Sequence, residues 1–278
     1  MEVYETLPKR ARDTHKGDYG RLLILGGCVG YTGAPNLCTH AAVRSGAGLV
    51  SLGVPQAIYE ICAVKQDAAM PFPLPDEEGK LSLEALDPIL ERLERSDVCV
   101  LGPGLGRGDD LTKLVQTLIR ETPIPMVLDA DGLYAAAQNP EVLLEAGAPL
   151  ILTPHEGEFA RFHPERLSDR VTETTAFAEN YRCTVVRKGP ETVIAFPDGS
   201  STLLQAGNPG MAKGGSGDVL AGILGGFLCQ KQIERPVETA VWVHGKAGDL
   251  CAERFGEYSM TPGDLIDLLP EVTKSMIH

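Results

Sequence analysis

The chain has 278 residues, 43% hydrophobic and 23% charged, with 25 basic against 38 acidic side chains and a net charge of −13. That is the composition of a water-soluble globular protein with ample core, and its acidic balance excludes wide nucleic-acid or anionic-membrane surfaces as partners. No apolar run approaches the roughly 20 residues of a membrane span, MEVYETLPKR lacks the order of a signal peptide, and seven scattered cysteines without a CxxC pair suit a reduced, cytoplasmic protein.

Short apolar runs recur along the first half, each closed by a Gly-, Pro- or acid-containing loop. Leu22–Leu25 precedes GGCVGYTG, Leu49–Val54 precedes Pro55, Val98–Leu101 precedes GPGLG, Met126–Leu128 precedes DADG, and Leu150–Leu152 precedes TPHEGE. Runs of this length between turn signals predict buried strands of a parallel sheet. Helices are predicted between them, over Ala34–Ser45, Ser82–Arg95, Asp109–Arg120 and Asp131–Gln138; in the second, Leu83, Leu86, Leu90 and Leu93 form an amphipathic stripe. After about Tyr181 the texture changes. Cys183–Arg187, Thr192–Phe196 and Thr202–Leu204 are joined by KGPE and PDGSS, close-set turns that predict an antiparallel edge to the sheet. A glycine-dense loop, GNPGMAKGGSGD, then leads into an apolar helix over about Val219–Gln230, followed by helices over Pro236–Phe255 and Thr261–Leu269. With no linker or repeat, the expectation is one three-layer α/β/α domain over residues 1–278.

Ligands of open α/β sheets bind beyond the carboxyl ends of the strands, where these loops fall. Glycine makes up 31 of 278 residues, about 11% against a usual value of roughly 7%, which points to tight turns and close backbone approach to a ligand. Gly26–Asn36 lacks the GxGxxG spacing of a dinucleotide fingerprint, and GxxxxGK[ST] is absent. Gly214, Gly215, Ser216 and Gly217 stand at the head of the apolar helix, where backbone N–H groups make an anion hole. Asp218 follows in the same turn. An anion hole and a carboxylate sharing one turn suit a base that deprotonates a hydroxyl attacking a phosphoryl group. Lys213 is either a phosphate contact or a solvated surface lysine. In TPHEGE, His155, Glu156 and Glu158 are candidates for substrate contact or for Mg²⁺ held through water, and Glu158 is the metal candidate carried forward. Asp129 and Asp131 either orient metal or substrate, or Asp131 caps the next helix.

The set KGDYGRLLILGG, YTGAPNL, GPGLG, VLDADGL, LTPHEGEF and GNPGMAKGGSGDVLAG, in that order over Lys16–Thr261, resembles the ADP-dependent NAD(P)H-hydrate dehydratases of the ribokinase-like superfamily. The resemblance implies a mostly parallel sheet flanked by helices, without the lid domain of sugar kinases. It implies a lyase activity: the (6S)-hydrate of NADH or NADPH is dehydrated back to the cofactor while ADP becomes AMP and phosphate, with Mg²⁺ as cofactor. Asp218 then matches the catalytic base, and Gly214, Gly215, Ser216 and Gly217 match the anion hole. Ala34, Gly104 or Gly106, and His155 match contacts to the hydrate, which Asp218 also touches. Lys188, Gly189, Pro190, Glu191 and Thr192 match the loop on the adenine nucleotide, with Gly217 beside its phosphate. The resemblance further implies a homotetramer and, since only about fifteen residues precede HKGDYG, a separate epimerase acting on the same hydrate. Two alternatives stay open: a hydroxymethylpyrimidine- or hydroxyethylthiazole-type kinase of the same fold, and a non-catalytic nucleotide-binding regulator.

Overall fold

A computed structural model describes residues 2–162 and 169–277. The first half runs β1 (Arg21–Leu25), α1 (Gly33–Arg44), β2 (Leu49–Pro55), α2 (Tyr59–Ala63), β3 (Met70–Leu74), a hairpin of β4 (Asp76–Glu77) and β5 (Lys80–Leu81), α3 (Leu86–Leu93) and β6 (Val98–Leu101). Next come α4 (Asp109–Glu121), β7 (Met126–Leu128), α5 (Asp131–Ala137), β8 (Leu150–Leu152), α6 (Glu156–Phe162) and α7 (Arg170–Asn180). The chain continues through β9 (Thr184–Arg187), β10 (Thr192–Ala195) and β11 (Ser201–Leu204), then α8 (Ser216–Leu228), α9 (Pro236–Ser259) and α10 (Pro262–Ser275).

Nine strands form one sheet in the order β11-β10-β9-β8-β7-β6-β1-β2-β3. From β3 across to β9 all neighbours are parallel; β10 runs antiparallel to both β9 and β11, giving the antiparallel edge expected from the turn spacing. Both faces are covered at the centre, so β6, β7 and β8 are apolar and buried throughout rather than alternating. Along β1, Leu22 and Ile24 face a core shared with α1, α8, α9 and α10, while Leu23 and Leu25 face the core under α3, α4, α5, α6 and α7. This is the expected three-layer α/β/α arrangement. Among the described residues, only the β4–β5 hairpin stands outside the central sheet as a second one.

Helix α8 lies deepest. Apart from Gly217 and Asp218 at its start and Leu228 at its end, its residues are buried, as its all-round apolar sequence requires. Its glycines permit this depth: a methyl on Gly222 would meet the Cys38 carbonyl oxygen at 2.1 Å, and one on Gly225 would meet Val100 at 2.6 Å. Most of the first half of helix α9 is buried against neighbours, so its solvent-facing stretch is Glu253–Ser259, and Gly256 inside that stretch takes φ +73°.

Strand β3 was not foreseen, since MPFPL carries Pro71 and Pro73; at a sheet edge prolines are tolerated because one row of N–H groups needs no partner. No helix among the described residues is long and apolar enough to cross a membrane. All seven cysteines are buried and unpaired.

Candidate active site

The loops after β1, β6, β7, β8 and β9 all leave the carboxyl edge of the parallel strands and converge there. Glycines set their spacing. Gly102, at φ +136°, lies so close to the DADG turn that a methyl would stand 1.8 Å from the Asp129 carbonyl oxygen. Gly104, at φ +65°, lies against Ala34 and Tyr31, with 3.0 Å from its would-be methyl to the Ala34 Cβ. Gly106 faces elsewhere: its N–H donates to Asp131 Oδ2 at 2.9 Å, and Cys28 and Lys80 lie against it. Of the two glycines matched to hydrate contact, Gly104 is therefore the one packed on Ala34.

The two acids of DADG separate in role. Asp131 holds the GPGLG loop through Gly106 and a 3.4 Å ion pair to Arg107. Asp129 turns inward, 1% exposed, and accepts from Thr153 Oγ1 at 2.6 Å and Lys188 Nζ at 2.9 Å. Between them Ala130 has φ +48° and ψ −115°, a strained backbone for a non-glycine residue and one that clusters at functional turns.

Lys188 is the hub that sequence spacing did not reveal. Its ammonium pairs with Asp129, lies 3.8 Å from Glu158 Oε2, and would stand 3.3 Å from a methyl on Gly217. Burial works against its charge, but Asp129, Glu158 and Asp218 outweigh it and raise its pKa. Asp218, in the first turn of α8, is pushed up to about 7, chiefly by burial and then by the Asp129 carboxylate, with Lys188 opposing. A carboxylate poised there exchanges a proton readily near neutral pH.

The anion-hole turn is shaped by position. Gly215, the N-cap of α8, takes φ +102°, and a methyl would meet Leu37 at 2.7 Å and Pro262 at 2.9 Å. Gly214 faces open space. Ser216 is buried, and its carbonyl accepts from His244 Nε2 at 2.9 Å. Burial first, and Lys188 also, hold His244 neutral with a pKa of about 4, against the contrary pull of that hydrogen bond. His244 carried no sequence signal.

In TPHEGE, Glu158 Oε2 accepts from the His155 backbone N–H at 2.9 Å, and His155 Nδ1 accepts from Gly157 and Glu158 N–H at 3.0 and 3.2 Å, leaving Nε2 3.5 Å from Glu158 Oε1. Glu156 departs from its candidate role: it turns away from the acid cluster to pair with Arg170 and Arg187. Lys213 lies exposed at the surface with its position fixed, because its ammonium donates to the Tyr258 and Met260 carbonyls at 2.7 and 2.6 Å. Among the described residues no three His, Cys, Asp or Glu side chains gather in a metal-holding group. Glu158 Oε1, 3.5 Å from His155 Nε2, is a cluster oxygen that could hold a hydrated cation.

The sequence model of the NAD(P)H-hydrate dehydratase family matches residues 22–271. The bifunctional NAD(P)H-hydrate repair enzyme of Moorella thermoacetica is 43% identical over 277 residues, 97% of this chain and 52% of that protein. The chain thus spans about half the length of the curated relatives it matches. They are named bifunctional, so a separate epimerase finds no support from them. Among solved structures, the ADP/ATP-dependent NAD(P)H-hydrate dehydratase of Bacillus subtilis, co-crystallised with ATP/Mg²⁺, aligns at a TM-score of 0.82 and 30% identity, covering 99% of this chain and 96% of that one. A ribokinase-like superfamily protein from Enterococcus faecalis aligns at a TM-score of 0.85 and 26% identity over 99% of this chain and 94% of that one. These matches favour neither a vitamin-precursor kinase nor a non-catalytic regulator.

Proposed function

The chain belongs to the NAD(P)H-hydrate dehydratase family, and we propose that it repairs the (6S)-hydrate of NADH or NADPH at the expense of ADP, yielding AMP and phosphate. The observation that carries this is Asp218: a largely buried carboxylate with a pKa of about 7, in the first turn of the helix that Gly214 and Gly215 lead into and Ser216 and Gly217 open.

Hydroxide is a poor leaving group from C6 of the hydrated ring. Asp218 takes the proton of that hydroxyl as its oxygen attacks the β-phosphorus of ADP, and the bond to the AMP oxygen breaks. The N–H groups at the start of α8 stabilise the charge on the phosphoryl oxygens in flight. The ring nitrogen lone pair then expels phosphate from C6, and a proton leaves C5 as the double bond forms. Ala34, Gly104 and His155 hold the hydrate, while the Lys188–Thr192 turn and Gly217 hold the nucleotide. Lys188 keeps the buried Asp129 and Glu158 carboxylates from repelling incoming phosphates.

Magnesium, present with ATP in the Bacillus subtilis crystals, would sit on the nucleotide phosphates with Glu158 touching it through water, and would supply charge neutralisation there. One domain over the whole chain, a cytoplasmic location and assembly as a homotetramer complete the proposal; light scattering tests the last. The activity is tested by adding purified NADH hydrate with ADP, ATP or no nucleotide and following the return of dihydronicotinamide absorbance. Return with ADP and matching AMP release supports it. No return with either nucleotide, from folded protein that binds both, overturns it.

A further inference from the structure

Two loops of the site leave neighbouring strands: TPHEGE from β8, and KGPET, Lys188–Thr192, from β9. Their backbones meet once, where Lys188 N–H donates to the Pro154 carbonyl at 2.8 Å. The rest of the join is made by side chains. Arg187, 3% exposed and stacked 4.0 Å over the Phe159 ring, reaches Glu156 at 2.7 Å and Glu173 at 3.1 Å. Arg170, in the first turn of α7, donates from Nε to Glu156 Oε1 at 2.5 Å. Its Nη2 donates to the carbonyls of Arg187 and Lys188 at 3.1 and 3.0 Å, and its Nη1 to that of Glu191.

One guanidinium therefore satisfies three carbonyls at the end of β9 and in the turn, those of Arg187, Lys188 and Glu191, while a carboxylate fixes its remaining edge. Such a planar fork cannot be copied by a lysine, whose donors converge on a single nitrogen. The glycine of KGPET fits the same arrangement. Gly189 has no positive φ to explain it, but a methyl there would stand 2.6 Å from Arg170 Nη2. The turn is built to admit the guanidinium.

We propose that Arg170, anchored by Glu156, is a positioning residue for nucleotide binding: it fixes the shape of the Lys188–Glu191 turn and ties it to the loop that carries His155. Arg170 touches none of the reacting groups and acts through the backbone it holds. This rests on the assignment of that turn to the nucleotide.

The test is ADP titration by calorimetry and steady-state kinetics on the wild type, Arg170→Ala, Arg170→Lys, Glu156→Gln and the double variant Glu156→Gln/Arg170→Ala. With charged hydrogen bonds of this kind removed, Arg170→Ala should raise the Kd and KM for ADP by about tenfold or more, while KM for the hydrate moves less than about threefold. Arg170→Lys should recover little of that loss. Glu156→Gln should raise the ADP Kd by a smaller factor, and the double variant should bind no worse than Arg170→Ala alone, since Glu156 acts on the turn through Arg170 while its pair with Arg187 lies on the β9 side. ADP affinity within about twofold of wild type in folded Arg170→Ala overturns the proposal. Additive losses in the double variant overturn the anchoring by Glu156. Should Arg170→Ala not fold, Glu156→Gln and Arg170→Lys decide by the same ADP-against-hydrate split. A wild type that turns over hydrate without measurable affinity for ADP would instead remove the nucleotide assignment itself.

Discussion

Asp218→Asn separates the chemistry of the site from its cost to the fold. The carboxyl is raised from an ordinary 3.8 to about 7, chiefly by burial and then by Asp129. An acid whose folded pKa exceeds its unfolded value stabilises the protein fully only below the unfolded value, and that stability is lost as pH rises through the folded one. The window here runs from about 4 to 7. At about 1.4 kcal/mol per unit, the raised carboxyl costs the fold about 2 kcal/mol at pH 5, where it ionises only on unfolding, and about 4 kcal/mol at pH 8, where it is ionised in both states. Asparagine keeps the shape and does not titrate. The variant should therefore melt above the wild type by about 4 °C at pH 5 and about 10 °C at pH 8, taking the usual melting shift per kcal/mol for a chain of this size. Its turnover should fall by about three orders of magnitude while ADP still binds. Thermal melts across this pH range, with turnover measured in parallel, are the assay. An equal melting difference at both pH values would refute the placement of Asp218 as a buried acid, and wild-type turnover would remove it as the base.

Three further outcomes follow from the same contacts. Asp129→Asn removes the carboxylate that raises Asp218 and frees Lys188 to face it; the acid limb of the pH–rate profile should move below 7 by about one unit, and an unmoved limb would show that Asp129 does not tune the base. Gly215→Val places a branched side chain at φ +102° against Leu37 and Pro262; ADP affinity and melting temperature should both fall, by an equivalent of about 2 kcal/mol or more, and unchanged values of both would sink the anion-hole assignment. His155→Ala should raise KM for the hydrate more than for ADP, and the reverse order would place His155 on the nucleotide side.

The architecture was legible because each buried strand is a short apolar run halted by a turn, and the carboxyl ends of parallel strands must share one edge. The predicted Asp109–Arg120 helix and the observed Asp109–Glu121 differ by one residue for the same reason: the stripe and its acidic first turn are both local. Strand β3 escaped because Pro71 and Pro73 remove the local signal and only its edge position explains it. Helices α6 and α7 escaped too, being short or weakly amphipathic. Within the site, the glycine turn and Asp218 could be found because helix start and anion hole occupy adjacent residues. The Lys188–Asp129 pair could not, since its partners are 59 residues apart. Glu156 and Glu158, two residues apart in one motif, point to different networks, a distinction that depends on Arg170 and Arg187 arriving from other elements.

Helix α8 joins the glycine turn at its start to the deepest part of the core. A site mounted on a surface loop opens and closes at little expense, whereas here the amides of Val219–Leu224 can reach solvent only when the layers on both sides part. Their hydrogen exchange should be as slow as global unfolding allows, so the turn that carries Asp218 has no local melting of its own. Loss of the proposed activity on heating and unfolding should then coincide, and any opening that admits a ligand must come from the loops around the helix rather than from the helix itself.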